Sequence, residues 1–179
     1  VRLKNETGIT NLVPLHRLDR ETAGLVMFSV NPTSRHQWLS LFRDRAVKKI
    51  YEAHASFNEQ LSLPYVHRSR LVKDEHFFKM KEVDGEPNSE TIIHLHKREL
   101  SHTSYLLEAV TGKMHQLRVH MMALGLPLLN DALYPITHAA NSDDFTTPLK
   151  LLARSLAFKN PINGNHHFFE SRRSQIGRA

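Results

Sequence analysis

Cysteine is missing from this 179-residue chain. Its absence excludes disulfides, iron–sulfur clusters and thiolate zinc sites, and it is typical of a reducing compartment, so we expect a cytoplasmic protein. Long hydrophobic runs are missing too, since no apolar stretch approaches the roughly 18 residues that a membrane helix needs. No internal repeat or low-complexity tract divides the chain, and its length is typical of one domain. The sequence therefore predicts a single domain over residues 1–179 with no membrane association.

Positive charge is in excess. Basic residues outnumber acidic ones by 24 to 18, which gives a formal net charge of +6 and a pI near 9.7. Between positions 35 and 49 the only acidic residue is Asp44, against Arg35, Arg43, Arg45, Lys48 and Lys49. Such a cluster indicates a polyanionic partner such as nucleic acid, although a solvated basic face gives the same pattern.

Hydrophobic patterning predicts many strands and few helices. An apolar run predicts a buried strand over 23–30, and alternation predicts a half-buried strand over 49–57. Further strands are predicted over 66–73, 77–83, 91–98, 103–110, 149–158 and 166–170. Helices are predicted over about 31–46 and 114–124 from capping signals and apolar stripes, and residues 138–147 are predicted to form an exposed loop. This order of elements is typical of an α+β domain with a largely antiparallel sheet.

Ionisable residues crowd the segment directly before the first predicted strand. Asp19 lies between Arg17 and Arg20, and nearby positive charge favours the carboxylate form of an aspartate. A carboxylate is the form that a nucleophile or a general base requires. A capped turn with a surface ion pair remains the alternative interpretation.

Two other segments carry side chains of chemical interest. Thr111 and Gly112 precede a predicted helix, whose free backbone N–H groups can meet an anion. Arg118 falls at the edge of the apolar stripe of that helix, where a carboxylate is its best partner, although an arginine can also extend from a core edge to solvent. Tyr51 shares a strand face with small residues, so its ring is either core or a platform for a nucleobase.

The 13 histidines do not predict a metal site. His115 and His120 are five residues apart and face different sides of a helix. His94 and His96 share a strand face, and His166 is next to His167, but neither pair has an evident third ligand. We therefore predict no metal site.

Several segments, in this order and spacing, carry a family resemblance. They are His-Arg-Leu-Asp at 16–19 with Thr-Ala-Gly at 22–24, Lys-Ile-Tyr-Glu-Ala at 49–53, Thr-Gly at 111–112 with His-Gln-Leu-Arg-Val-His at 115–120, Asp-Ala-Leu-Tyr at 131–134, and a late block at 152–164. In these segments the chain resembles the RluA-type family of RNA pseudouridine synthases.

The resemblance implies a fold and a reaction. The implied fold is a mixed, largely antiparallel sheet with flanking helices around a central catalytic cleft. The implied reaction converts specific uridines of structured ribosomal or transfer RNA to pseudouridine without a cofactor. The resemblance assigns Asp19 as the catalytic carboxylate, as nucleophile or as general base, paired with Arg118, while Tyr51 stacks on the target uracil. RNA contacts are expected from His16, Arg17, Arg20, Lys49, Lys113, His115 and Gln116.

The resemblance also sets expectations for organisation. The chain is expected to lack the N-terminal strand with which family domains usually begin, and an S4-type RNA-binding domain. It is expected to act as a monomer with no obligate protein partner. The alternative function is a non-catalytic module for RNA binding or assembly that retains the cleft, although binding alone would not require the carboxylate of Asp19.

Overall fold

A computed structural model describes residues 2–75, 78–136 and 146–173. Three short helices lie among ten strands in these ranges. The helices are α1 (Arg2–Thr7), α2 (Arg35–Arg43) and α3 (Gln116–Ala123). The strands are β1 (Val13–Pro14), β2 (Ala23–Gly24), β3 (Phe28–Ser29), β4 (Lys48–Ala55), β5 (Tyr65–Lys73), β6 (Met80–Val83), β7 (Ser89–Arg98), β8 (Thr103–Ala109), β9 (Leu151–Lys159) and β10 (His166–Glu170).

One mixed sheet of eight strands dominates the fold. Seven of its strands follow the order β10-β9-β4-β8-β7-β5-β6, and each neighbouring pair in this order is antiparallel. The eighth strand, β2, runs parallel to β9, and β1 and β3 form a separate antiparallel ribbon. Among the described residues, no helix is long and apolar enough to cross a membrane. The mixed, largely antiparallel sheet that the sequence predicts is therefore confirmed.

The main core lies between the central strands and α3. Ala53, Ile93 and Leu107 from β4, β7 and β8 have no exposed surface, and they belong to one cluster with Leu117 and Met121 of α3. Burying a side chain such as Leu107 contributes about 1.5–3 kcal/mol. This packing fixes α3 against the sheet, and with it the polar side chains that α3 carries.

The strand predicted over 23–30 is wrong in its extent. The segment instead contains two short strands, β2 and β3, that belong to different sheets. The chain leaves the large sheet after Leu25, whose N–H donates to the carbonyl of Ala153, and the N–H of Met27 donates to His16 Nε2 instead of to a strand. Leu25 and Met27 still pack into a second core beneath α2, so the apolar run reflects burial rather than one continuous strand.

Other boundaries differ by a few residues. Helix α2 begins after the predicted start because the Asn31 side chain accepts from the N–H and hydroxyl of Thr33, which forms a turn before the helix. Helix α3 begins at Gln116 because His115 adopts a left-handed conformation with φ of 52°. The strand predicted over 77–83 is observed as Met80–Val83, and residue 77 lies outside the described residues. Most of the loop predicted over 138–147 also lies outside them.

Candidate active-site cleft

A cleft of about 520 Å³ opens where several loops meet the ends of β4 and α3. Its walls come from the loop before β2, the end of α2, strand β4, the loop after β8 and the first turn of α3. Among the residues that the structure describes, six basic side chains line it: Arg17, Arg43, Arg45, Lys49, Lys113 and Arg118. Among the described residues of its lining, Asp19 is the only carboxylate. The cleft thus combines a cationic wall with one acidic group.

The loop that carries Asp19 is anchored by its connection to β2. Gly24 has φ of +113°, and a Cβ atom there would lie 2.3 Å from the carbonyl oxygen of Ala153, so only glycine permits the parallel pairing of β2 with β9. Within the loop, the N–H of Thr22 donates to the carbonyl of Asp19 at 3.0 Å. The turn that presents Asp19 is therefore held at its C-terminal side by the sheet.

His16 supports the other end of this loop. Its Nε2 accepts from the N–H of Met27 at 3.0 Å, and its ring stacks on Phe42 with centroids 4.6 Å apart. Burial lowers the pKa of His16, and the positive charge of Lys49 also contributes to this shift. A neutral imidazole suits the role of acceptor, so the contacts of His16 brace the loop.

Arg118 is a buried arginine beneath the cleft, and its guanidinium pairs with two carboxylates. The residue is 1% exposed, and its Nε and Nη2 donate to both carboxylate oxygens of Asp131 at 2.8 and 2.6 Å. Its Nη1 donates to Glu21 at 2.9 Å. The predicted pairing of Arg118 with Asp19 is therefore wrong in its direct form. The fork of the guanidinium is occupied by Asp131, which lies in the turn after α3, and the remaining nitrogen is used by Glu21.

The negative charge of Asp19 still reaches Arg118. Burial alone lowers the pKa of Arg118, but the hydrogen bonds and charge of Asp131, with the charges of Glu21 and Asp19, outweigh burial and raise it. Within the described part of the chain, no hydrogen bond or ion pair engages the Asp19 carboxylate. Asp19 thus lies close enough to influence the guanidinium, while its carboxylate oxygens, which no described residue binds, face the cleft.

Tyr51 projects from β4 into the same space. The pairing of β4 with β9 shifts register between Ile50 and Tyr51, and such an irregularity re-aims a side chain. Burial, followed by the negative charge of Asp19, raises the pKa of Tyr51 to about 12. The ring packs against the main core while the residue lines the cleft, so it is both a core residue and a candidate platform.

The loop after β8 is locked by Gln116. Its Oε1 accepts from the hydroxyl of Thr111 at 2.6 Å and from the N–H of Lys113 at 3.0 Å. Its Nε2 donates to the carbonyl of Glu90 and to the hydroxyl of Thr91, both at 2.9 Å. The amide uses its full hydrogen-bonding capacity inside the protein. Gln116 therefore has no free amide atom for the RNA contact predicted for it.

Lys49 contacts this loop, and His115 lies at its end, directly before α3. The Nζ of Lys49 donates to the carbonyl of Thr111 at 3.4 Å, and burial lowers the pKa of Lys49, with help from the charge of Arg45. His115 Nδ1 lies 3.0 Å from the hydroxyl of Tyr134. Burial lowers the pKa of His115 against the opposing influence of Asp19.

Comparison with known proteins shows the family to which this chain belongs. Residues 2–123 match the family model described as RNA pseudouridylate synthase. The chain belongs to this family. The dual-specificity RNA pseudouridine synthase RluA of Pasteurella multocida is 32% identical over 172 residues, covering 90% of this chain and 72% of that protein. The ribosomal large subunit pseudouridine synthase C of Rickettsia typhi is 33% identical over 125 residues, covering 67% of this chain and 41% of that protein.

A solved structure shares the fold. Human RNA pseudouridylate synthase domain containing 1 superimposes with a TM-score of 0.78 at 22% identity, covering 96% of this chain and 72% of that one. The family, the α+β fold and the enzyme class predicted from the sequence are thus confirmed. This member of the pseudouridine synthase family is an isomerase that acts on uridine in RNA.

The structure brings most of the predicted site residues of this synthase together. Asp19, Tyr51 and Arg118 line one cleft, with His16, Arg17, Lys49, Lys113 and Gln116. Arg20 and His115 are not part of that lining. The sequence reasoning missed Glu21 and Asp131 as the partners of Arg118. The family resemblance includes the segment 131–134, which was a signal for Asp131, whereas Glu21 carries no such signal because it is one acidic residue in a charged loop.

Proposed function

We propose that this chain isomerises uridine in structured ribosomal or transfer RNA with Asp19 as its catalytic carboxylate, Tyr51 as the platform for the base, and Arg118 as a positioning residue. The proposal includes action as a monomer in the cytoplasm, without a cofactor or an obligate protein partner. The names of the relatives include a ribosomal large subunit enzyme, which supports ribosomal RNA as a candidate, and a dual-specificity RNA enzyme, which supports more than one target.

One observation carries the proposal. Asp19 is the only carboxylate among the described lining residues, and no described side chain or N–H group bonds to its carboxylate oxygens. The other two acidic groups near Arg118, Glu21 and Asp131, are engaged by its guanidinium. The described lining therefore presents one carboxylate to a substrate, together with six basic side chains.

The two kinds of lining suit two parts of an RNA substrate. A target base inside a stacked helix cannot reach Asp19, so it must leave the stack at a cost of a few kcal/mol. The ring of Tyr51 offers a face on which the uracil can stack, which contributes about 1–3 kcal/mol per base. The basic side chains Arg17, Arg43, Arg45 and Lys113 lie where they can meet phosphates beside the extruded nucleotide.

The reaction conserves all atoms of the nucleotide. The bond between ribose C1′ and uracil N1 breaks, the uracil turns within the cleft, and its C5 bonds to C1′. The proton leaves C5, and N1 ends with a proton. The Asp19 carboxylate can act in either of two ways, by attacking C1′ or by removing a ribose proton so that a glycal forms.

Arg118 acts on this chemistry through the loop that carries Asp19. Its bond to Glu21 ties that loop to α3, and its bonds to Asp131 tie α3 to the following turn. Asp131 also accepts from the N–H groups of Leu133 and Tyr134 at 2.8 and 3.0 Å. This network holds Asp19 in place without a direct bond to it.

A tritium-release assay tests the proposal. RNA labelled with tritium at uridine C5 loses the label only when C5 bonds to the ribose. Asp19→Asn is expected to abolish release while RNA binding, measured by filter retention, stays within a few-fold of the wild type. Asp84→Asn, which changes an exposed aspartate in the turn between β6 and β7, is the matched control and should keep full release.

Two results would contradict the proposal. Turnover by Asp19→Asn would remove Asp19 from the chemistry. RNA binding by the wild type without tritium release, over bulk ribosomal and transfer RNA, would support the non-catalytic module. A pseudouridine map of cells that lack the gene, compared with the parent, would then identify the RNA and the nucleotide.

A further inference from the structure

A second cluster of ligating side chains lies outside the catalytic cleft. His67 of β5 and Glu82 of β6 place Nε2 and Oε1 2.8 Å apart, and Nε2 of His120 on α3 lies 3.9 Å from the same oxygen. All three ligating atoms lie within 4.8 Å of one another. We propose that His67, Glu82 and His120 bind a divalent transition-metal ion of the zinc type. None of the three residues lines the cleft.

The tertiary fold creates this cluster from distant parts of the chain. Strands β5 and β6 are antiparallel neighbours at the edge of the large sheet, and α3 packs across β5, β6 and β7. His120 is on the buried face of α3, and its side chain has no exposed surface. The side chains of His67 and Glu82 are 14% and 25% exposed, so an ion can enter from solvent on their side.

The donor set matches the chemistry of zinc. Two imidazole nitrogens and one carboxylate oxygen form a known three-ligand zinc set, in which water takes the fourth position. Imidazole favours zinc, copper and nickel over magnesium and calcium, which prefer oxygen ligands. With bonds of about 2.0–2.2 Å, ligating atoms around tetrahedral zinc lie about 3.3 Å apart. The observed 2.8 and 3.9 Å separations lie on either side of that value, and all three ligating atoms lie within 4.8 Å of one another, so the side chains must adjust to reach tetrahedral geometry.

His120 has an outer partner that suits a ligand. Its Nδ1 lies 2.9 Å from the buried hydroxyl of Thr91, which also accepts from Gln116. When Nδ1–H donates to Thr91, the Nε2 lone pair faces the cluster. Partners of this kind fix the tautomer and orientation of a ligating histidine.

Two serine hydroxyls lie within hydrogen-bond distance of Nε2 of His120, the atom that would bind the proposed ion. Ser69 and Ser89 place their oxygens 3.1 and 3.0 Å from this nitrogen. They also lie 3.3 Å from one another, and the Ser89 hydroxyl donates to the carbonyl of Ser69 at 2.7 Å. Both hydroxyls therefore keep a partner when the nitrogen turns to a metal, so binding leaves no buried hydroxyl unsatisfied.

A zinc-binding measurement on the whole chain tests the site. The protein is stripped with a chelator, and Zn²⁺ is then titrated in competition with a chromophoric chelator of known affinity. The wild type is expected to bind one ion per chain. His67→Ala and Glu82→Gln remove ligands from the partly exposed side, and each should weaken binding by more than about tenfold, the lower bound for loss of an outer partner alone. Circular dichroism checks that both variants are folded.

The control is His166→Ala, which removes an exposed histidine on β10. It should leave the affinity of the proposed site unchanged. Co²⁺ provides a second readout, because its visible spectrum distinguishes four-coordinate nitrogen and oxygen ligation from hydrated ion, and that spectrum should be lost in His67→Ala. The proposal is overturned if the wild type shows no saturable site, if folded His67→Ala and Glu82→Gln bind as the wild type does, or if His166→Ala loses the site.

Discussion

Replacing Asp131 with asparagine tests whether the buried ion pair beneath the cleft supports the fold. Asp131 and Arg118 have side-chain exposures of 1% and 0%, and two hydrogen bonds join them. The asparagine side chain would not be able to accept at both positions, because one of its two polar atoms is a donor. If its oxygen keeps the N–H groups of Leu133 and Tyr134, its NH₂ group faces Nε of Arg118, donor against donor.

The expected cost follows from what the substitution leaves behind. Removing one partner of a buried ion pair costs about 3–5 kcal/mol, because the other charge stays buried without compensation. Glu21 does not compensate, because its side chain is 36% exposed and holds only one nitrogen of Arg118. Since a domain has about 5–15 kcal/mol of stability, Asp131→Asn should lose a large share of it.

Urea unfolding followed by circular dichroism measures this loss. The midpoint should fall in Asp131→Asn while the slope stays unchanged. Glu21→Gln is the matched control, because it removes the partly exposed partner of the same guanidinium and should cost no more than about 1 kcal/mol. The reasoning is refuted if Asp131→Asn costs no more than Glu21→Gln, since Arg118 would then not depend on Asp131 for its charge.

Three further predictions concern Gly24 in β2, Lys113 in the lining of the cleft, and the phenol of Tyr51. Gly24→Ala should lower the free energy of unfolding in urea by more than about 2 kcal/mol, because the added Cβ would lie 2.3 Å from the backbone of β9. The control Gly125→Ala has open space around its Cβ and should lower it by about 1–2 kcal/mol, the cost of the left-handed backbone alone. Equal losses would exclude the close approach at Gly24. RNA affinity measured at several salt concentrations should show a slope of log affinity against log salt that is smaller by about 0.7–0.9 in Lys113→Ala than in the wild type. The control Lys4→Ala, outside the cleft, should leave the slope unchanged. An unchanged slope in Lys113→Ala would show that Lys113 does not bind a phosphate. Because the pKa of Tyr51 is raised to about 12, the folded state holds this proton more tightly than the unfolded chain does, so the free energy of unfolding should fall as pH rises above about 10. Tyr51→Phe should lessen that fall, and an identical pH profile would contradict the raised pKa.

Local hydrophobic patterns in the sequence predicted much of the observed secondary structure. Alternation over 49–57 predicted β4, which is observed at Lys48–Ala55, and residues 166–170 form β10 as predicted. Such patterns succeed because a strand on a core alternates its side chains between two faces. They failed over 23–30, where burial continues while the backbone changes sheets, because hydrophobicity reports burial and not hydrogen-bond partners.

Most of the site side chains that the sequence by itself indicated do reach the cleft, though Arg20 and His115 lie outside its lining. Asp19, Tyr51 and Arg118 each belong to a short segment whose spacing points to the family, and all three line one cavity. Which groups these side chains contact was decided by the tertiary structure. Arg118 bonds to Glu21, 97 residues away, and to Asp131, and not to Asp19.

The same limit applies to the second cluster. Spacing along the chain predicted no metal site, yet His67, Glu82 and His120 meet because an edge hairpin and a helix pack together. A sequence pattern describes one segment and the face that it buries. The choice of partner for a buried charge or an imidazole depends on which segments pack against each other, and that follows from the burial and hydrogen bonding of the whole sheet.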